Sequence, residues 1–374
     1  MPKALPDIRA AENLQGKRVL LRADLNVPVE GTRVLGTFRL RQSLETIEFL
    51  RRAGARIILV SHLGRSGDTL LPVAEALSRF LPISFVPDIL GARAKVAHAA
   101  LKNGEVLLLE NLRRDPREEA NDILFARSLA AYADIFVQDA FAVAHREHAS
   151  IIQVPKLLPK YAGLLFQKEV RELTTTLRPK SPSLCLIGGA KVETKEPLIQ
   201  KFLGIYDRVF VGGALANDLY RALGYEIGKS LVSPKALDLS RIIHHPRLLL
   251  PQDVTVQTNG RISIKKPQEI LKEDTVYDIG PQTTAEIARC IKRSSFVLWN
   301  GPMGNYERGF VAQTEEIAKV LATSGAYSVV GGGDTIAAIA KLKLEERFSF
   351  VSTGGGAMLD FLYLGTLPGI EALL

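Results

Sequence analysis

Short apolar runs recur along the chain, each broken by a polar or glycine-rich turn and followed by a segment of helical character. In the first half the runs lie in KRVLLRADLNVP (17–28), RIILVSHLGR (56–65), GEVLLLENLRR (104–114) and ADIFVQDAFAVAHREHAS (133–150). In the second half they lie in SLCLIGGAK (183–191), RVFVGGALA (208–216), VLWNGPMG (297–304), SVVGGGDT (328–335) and FSFVSTGGGA (348–357), with TVYDIGP (275–281) a milder case. Runs this short and this apolar predict strands buried on both faces. Helical patterns between them, at Leu40–Arg52, Pro72–Phe80 and Leu215–Leu223, predict an α/β chain with parallel, doubly wound sheets.

Residues 155–182 break the rhythm. Phe166, Val170, Leu173 and Leu177 share one helical face, between Pro155 and Pro159 on one side and Pro179 and Pro182 on the other. A helix bracketed by prolines predicts a connector between two domains. A chain of 374 residues is long for one core and comfortable for two.

The turns differ between the halves. Asp24 and Asn26 share one face of an extended segment, Arg39 follows, and the next exits carry His62, Gly64 and Arg65, then Arg113 and Arg114, then Asp139, His145, Arg146 and His148. Ligands of doubly wound sheets bind beyond the carboxyl ends of the strands, so these exits predict a basic bowl for a small, multiply charged anion. The later exits carry glycine, which suits close backbone contact with phosphates or a base. In SVVGGGDTIAAIA three glycines lead into a helix, with Asp334 placed to hold Mg²⁺ and Thr335 to cap the helix or reach a phosphate oxygen. Lys191 and Lys195 are four apart, on one face of a helix behind Gly188–Gly189.

Other features narrow the reading. LGYEIGKSL (223–231) nearly spells a phosphate-binding loop, but only three residues separate Gly224 from Gly228, and a helical stretch precedes it where a strand is required. No dinucleotide fingerprint is present. The histidine pairs 145/148 and 244/245 lack companion ligands for a metal. The net charge of +8 points to anionic partners, while the dispersed arginines form no nucleic-acid arm. Two cysteines, Cys185 in an apolar run and Cys290, suit a reducing compartment. No window approaches a membrane span, and the amino terminus lacks the apolar stretch of a signal peptide, so the cytoplasm is the expected location.

Taken in order, RADLNVP, SHLGR, GEVLLLENLR, DAFxxAHRxHAS, GGAKV, WNGPMG, VVGGGDT and VSTGGGA closely resemble the phosphoglycerate kinase family from about Lys17 to the final LPGIEALL. The resemblance implies two doubly wound, Rossmann-like parallel-sheet domains. An N-terminal phosphoglycerate domain (1–160) would take back the last residues (361–374), and an interdomain helix (161–178) would lead to a C-terminal nucleotide domain (179–360). It implies substrate contacts at Asp24, Asn26, Arg39, His62, Arg65, Arg113 and Arg146. Nucleotide contacts would fall at Gly189, Lys191, Lys195, Gly213, Asn300, Glu307, Gly331, Gly332, Gly333, Asp334 and Thr335, with Glu307 on the ribose and Asp334 toward Mg²⁺.

The implied reaction is reversible transfer between 1,3-bisphosphoglycerate and Mg-ADP, giving 3-phosphoglycerate and Mg-ATP, in a protein that is usually monomeric. An ionised carboxylate needs no general base, so Arg39, Lys191 and Lys195 are the expected catalytic charges, brought to bear by domain closure that excludes water. Two alternatives stand beside it: a polyanion- or RNA-binding protein on the same fold, and a kinase of a different phosphorylated acid. The second rests on departures from the family's usual NDAFGTAHRAHAS at Gln138, Ala142, Val143 and Glu147. Arg114 and Ser66 also depart, and the stretch from Thr255 to Tyr277 is short and lacks the familiar aromatic before DIGP.

Overall fold

The computed structural model describes residues 4–65, 67–190, 192–234 and 238–374. Two compact units emerge, one of Met1–Arg171 with Leu364–Leu374 and the other of Glu172–Tyr363. The division falls inside the helix Leu164–Thr175, shorter than the 161–178 expected, and residues 361–363 go with the second unit.

The first unit holds β1 (Arg18–Arg22), β2 (Arg56–Val60), β3 (Ser84–Phe85), β4 (Val106–Leu108), β5 (Ile135–Gln138) and β6 (Lys160–Ala162). They form one parallel sheet in the order β3-β4-β2-β1-β5-β6. Val19, Leu21, Ile57, Leu59, Val106, Leu108, Ile135 and Val137 pack in one core cluster, and the alternate residues Leu20, Ile58, Leu107 and Phe136 are buried too. Burial on both faces explains why these strands read as unbroken apolar runs. Each such side chain contributes about 1.5–3 kcal/mol. The carboxyl-terminal helix Pro368–Glu371 is tied in by Gly369 N–H donating to the Ala144 carbonyl (2.7 Å) and Lys160 Nζ donating to the Ala372 carbonyl (2.7 Å).

The second unit repeats the plan with β7 (Ser183–Ile187), β8 (Arg208–Val211), β9 (Leu248–Leu249), β10 (Val254–Thr258), β11 (Arg261–Lys265), β12 (Thr275–Ile279), β13 (Phe296–Asn300), β14 (Tyr327–Gly331) and β15 (Phe350–Val351). Its parallel sheet runs β9-β8-β7-β13-β14-β15. The TVYDIGP strand is not part of that sheet. As β12 it joins an antiparallel sheet, β11-β10-β12, whose two other strands lack apolar runs strong enough to announce them. Arg261–Lys265 is largely exposed, so its side chains carry little apolar signal.

In both sheets the winding direction reverses once. The chain moves outward from β1 through β2 and returns on its other side with β5; it moves outward from β7 through β8 and returns with β13. At such a reversal neighbouring loops leave in opposite directions and open a crevice, the usual ligand site of doubly wound sheets.

Candidate functional site

At the reversal in the first unit, the residues beyond β1 turn inward. Asp24 is 1% exposed, and Arg39 Nε lies 3.3 Å from its Oδ2. Arg39 also donates from its guanidinium to the Asn26 carbonyl (2.7 Å), and the Asn26 side-chain oxygen accepts from Gly64 N–H (3.0 Å). Arg113 donates to the Gly64 carbonyl (2.7 Å) and pairs with Glu119 (3.0 Å). One chain of hydrogen bonds thus links Asp24, Asn26, Arg39 and Arg113.

His62 sits beneath them, 3% exposed, with Nδ1 3.3 Å from the Arg22 guanidinium. A guanidinium can only donate, so Nδ1 accepts and Nε2 carries the proton. Burial, with the charges of Arg22, Arg113 and Arg39, holds the imidazole well below its usual pKa, so His62 is neutral at physiological pH. His148 is held at about 4 by burial and by the charges of Arg113, Arg22 and Arg146, and Arg146 itself is exposed. Arg65 is exposed, and among the described residues its backbone alone enters the network, through Asn111 and Asp68.

Arg22 and Glu118 belong to this site and were not legible as such. Arg22 is fully buried and donates from Nε to Ser150 Oγ (3.0 Å), whose hydroxyl donates to Glu118 Oε1 (2.5 Å). Burial pushes Arg22 down and Glu118 up, and each opposes the other's shift. The one available clue was an arginine ending an apolar run, where a solvent-facing role is the usual reading.

At the second reversal the site is built of backbone. Gly188 N–H donates to the Asn300 carbonyl (2.9 Å) and Gly189 N–H to the Pro302 carbonyl (2.9 Å), joining the turns after β7 and β13. A Cβ at Gly188 would lie 2.1 Å from the Pro302 oxygen, one at Gly213 2.7 Å from Gly189 N, and one at Gly301 2.4 Å from the Gly188 oxygen. Gly189, Gly213, Gly301 and Gly332 all adopt positive φ. Glycine is required here for backbone packing, and the close packing leaves the loops shallow enough to form a cleft.

That cleft, about 490 Å³, is lined by Gly189, Gly213, Glu307 and Asp334 among others. Lys195 lies beside Gly189, 8% exposed, donating from Nζ to the Gly188 carbonyl (2.7 Å); burial lowers it to about 8 while Asp334 opposes the shift. Gly333 and Asp334 are exposed at the start of the helix Gly333–Lys341. Asn300 and Gly331 are buried behind the cleft, Asn300 donating to Met358 Sδ (3.6 Å). Thr335 does not cap the helix: Gly332 occupies that position, and Thr335 Oγ1 is buried without a hydrogen-bond partner. Lys191 and Ser66 lie outside the described residues.

The family model described as phosphoglycerate kinase matches residues 8–363. The chain belongs to the phosphoglycerate kinase family. It is 41% identical over 391 residues to the phosphoglycerate kinase of Dictyoglomus turgidum, covering 99% of this chain and 98% of that protein. It is 43% identical over 382 residues to that of Thermus thermophilus, covering 96% and 97%. Among solved structures, phosphoglycerate kinase from Pyrococcus horikoshii superposes with a TM-score of 0.88 at 30% identity, and that from Coxiella burnetii with 0.83 at 36%, each covering 99% of this chain and 98% of the other.

Against the family pattern, three departures acquire a physical account. Val143 packs with Ala140 and Ile151 in a small core cluster rather than facing the bowl. Gln138 is buried, its side-chain oxygen accepting from Ala140 N–H (3.1 Å). An aromatic does precede DIGP: Tyr277 lines the cleft, stacked on Phe310 (4.5 Å between centroids) and bonded through its hydroxyl to Arg308 (2.8 Å). The 223–231 segment, set aside as a phosphate loop, nonetheless supplies Lys229 and Leu231 to the cleft lining. Among the described residues, no group of three His, Cys, Asp or Glu side chains is arranged to hold a metal ion.

Proposed function

We propose that this chain catalyses reversible phosphoryl transfer between 1,3-bisphosphoglycerate and Mg-ADP, yielding 3-phosphoglycerate and Mg-ATP, as a cytoplasmic monomer. The observation that carries the reading is the family match over residues 8–363 in a chain that keeps a cationic pocket at one sheet reversal and a glycine cleft at the other.

In this reading Asp24, Asn26, His62, Arg65, Arg113 and Arg146 hold the phosphorylated acid, and neutral His62 serves as a hydrogen-bond donor through Nε2. Its low pKa makes it a poor base, which agrees with a carboxylate nucleophile that has no proton to lose. Arg39 and Lys191 act on the migrating phosphoryl group, and Lys195 on the nucleotide phosphates. Gly189, Gly213 and the Gly331–Thr335 turn admit the nucleotide, Glu307 takes the ribose, Asn300 supports the cleft from behind, and the unpartnered Thr335 hydroxyl is available to a phosphate oxygen.

Mg²⁺ enters with the nucleotide as part of the substrate. Asp334 offers one exposed carboxylate at the cleft, and a single protein ligand completed by phosphates and water is how Mg²⁺ is commonly held. Bound there, the ion would offset phosphate charge. Transfer further requires that the carboxylate bound on one unit reach the phosphoryl group bound on the other, with water excluded, so a closed state is part of the proposal.

The deciding experiment follows transfer from Mg-ATP to 3-phosphoglycerate, trapping the acyl phosphate by coupled reduction. Turnover that vanishes in Lys191→Ala and Arg39→Ala supports the reading. A folded, nucleotide-binding protein that is inert on 3-phosphoglycerate but active on another phosphorylated acid would replace the substrate.

A further inference from the structure

Apart from the nucleotide cleft, the second unit contains a cavity of about 420 Å³ at the amino ends of its parallel strands. Its wall is one face of the helix Pro281–Arg293, where Glu286, Arg289, Cys290 and Arg293 fall at i, i+3, i+4 and i+7. Facing them are Asp207 and Arg208, at the entrance to β8. Pro182 and Leu249 add apolar surface.

The charges here are not arranged for stability. Arg208, Arg289 and Arg293 make no ion pair or side-chain hydrogen bond among the described residues. Arg289 and Arg293 are one helical turn apart, a spacing at which like charges repel. Of the two carboxylates, Asp207 accepts through Oδ2 from the Ser181 hydroxyl (2.7 Å) and from the Ser183 N–H (2.8 Å) and hydroxyl (2.9 Å). Asp207 keeps its negative charge, so two carboxylates, Asp207 and Glu286, face three guanidinium groups. A concave site of ordinary ligand size with unpaired, forked donors from two elements is suited to a phosphate group, which a guanidinium binds through two parallel hydrogen bonds.

We propose that this cavity is a second anion site, for a small compound bearing a phosphate or polyphosphate group of at least two negative charges, bound by Arg208, Arg289 and Arg293. It is independent of the phosphoryl-transfer site, and none of the residues assigned to transfer lines it.

Cys290 provides a local reporter. The chain has two cysteines, and Cys185 is fully buried, whereas Cys290 is half-buried on the cavity wall. The alkylation rate of Cys290 by iodoacetamide, read by peptide mass spectrometry on the full chain, is measured against inorganic pyrophosphate at constant ionic strength. The expected result is saturable protection. Its midpoint rises about tenfold or more in the Arg289→Gln/Arg293→Gln variant, in line with loss of charge-assisted bidentate bonds, while turnover is unchanged. Arg208→Gln, on a separate element, shifts the midpoint in the same direction. No saturable protection, equal protection by chloride, or a midpoint indifferent to the arginines would overturn the proposal.

Discussion

In the proposed reaction the two units meet the same physical demand, stabilising phosphate-bearing anions, with opposite materials. In the first, charge is supplied by side chains held in place: Arg39 by Asp24 and the Asn26 carbonyl, and buried Arg22 by Ser150 and Glu118. In the second, the polar groups belong to the backbone, and side chains are removed so that Gly188, Gly213 and Gly301 can approach one another. A side-chain site has to hold long, flexible cations still, and it does so with buried partners. A backbone site comes already rigid, but its geometry survives only while each Cβ is absent.

The contrast is tested most severely at Arg39. Arg39→Ala should lower turnover by about 10³-fold, as for other arginines that stabilise phosphoryl transfer. The coupled assay reads this directly, and a loss below about tenfold with folding intact would remove Arg39 from that role.

Next is the buried support. Glu118→Ala leaves Arg22 without its compensating carboxylate and should cost about 3–5 kcal/mol of stability by urea denaturation. A loss near the surface-pair range of about 0–1 kcal/mol would mean that the network is ornamental.

In the second unit the damage should be narrower. Gly301→Ala forces a side chain onto the Gly188 oxygen at φ +91° and should cost about 1–3 kcal/mol while weakening Mg-ADP binding. Affinity for 3-phosphoglycerate, measured calorimetrically on the same variant, should not change. Parallel losses for both ligands would erase the distinction between the sites.

The smallest effect concerns Lys195. Its ammonium form is complete below its pKa of about 8 and is lost as pH rises through that value, so Mg-ADP affinity should decline across that window. Lys195→Arg should flatten the profile, because a guanidinium stays charged. Stability moves the other way. The unfolded chain binds more protons between about 8 and the ordinary 10.5, so this group makes folding more favourable as pH rises there. A pH-independent affinity in the unaltered protein would take Lys195 off the phosphates.

How much could be read in advance differs along the same line. The central strands of both parallel sheets were visible because strands buried on two faces must be apolar throughout, whereas the short, partly buried edge strands Ser84–Phe85, Lys160–Ala162 and Leu248–Leu249 were not. The antiparallel strands Val254–Thr258 and Arg261–Lys265 escaped notice because one mixes polar with apolar residues (VTVQT) and the other is exposed. Asp24, His62 and Arg113 were legible as polar residues at strand exits, where charge has no structural necessity, and Arg39 in the polar stretch before a helix, which the structure places in the first turn of Phe38–Arg52. Arg22 was not, since it ends an apolar run and its partners Ser150 and Glu118 are remote in the chain. Thr335 was expected to cap its helix or reach a phosphate oxygen; a glycine holds the cap, and the threonine hydroxyl is buried.

What the sequence by itself determined was local: which stretches are strands, which turns carry charge and which carry glycine, and the ordered motifs that mark the family. Those properties depend on neighbours a few residues away, so they survive in a linear reading. Tertiary structure decided what those residues do. The glycines serve first to let two turns pack backbone to backbone, His62 is neutral because it is buried, with an arginine forty residues away pointing at its ring, and the proposed ligand sites lie where the winding of each sheet reverses. Each of these depends on strand order and burial, which bring distant residues within a few ångströms and remove the water that would otherwise screen them.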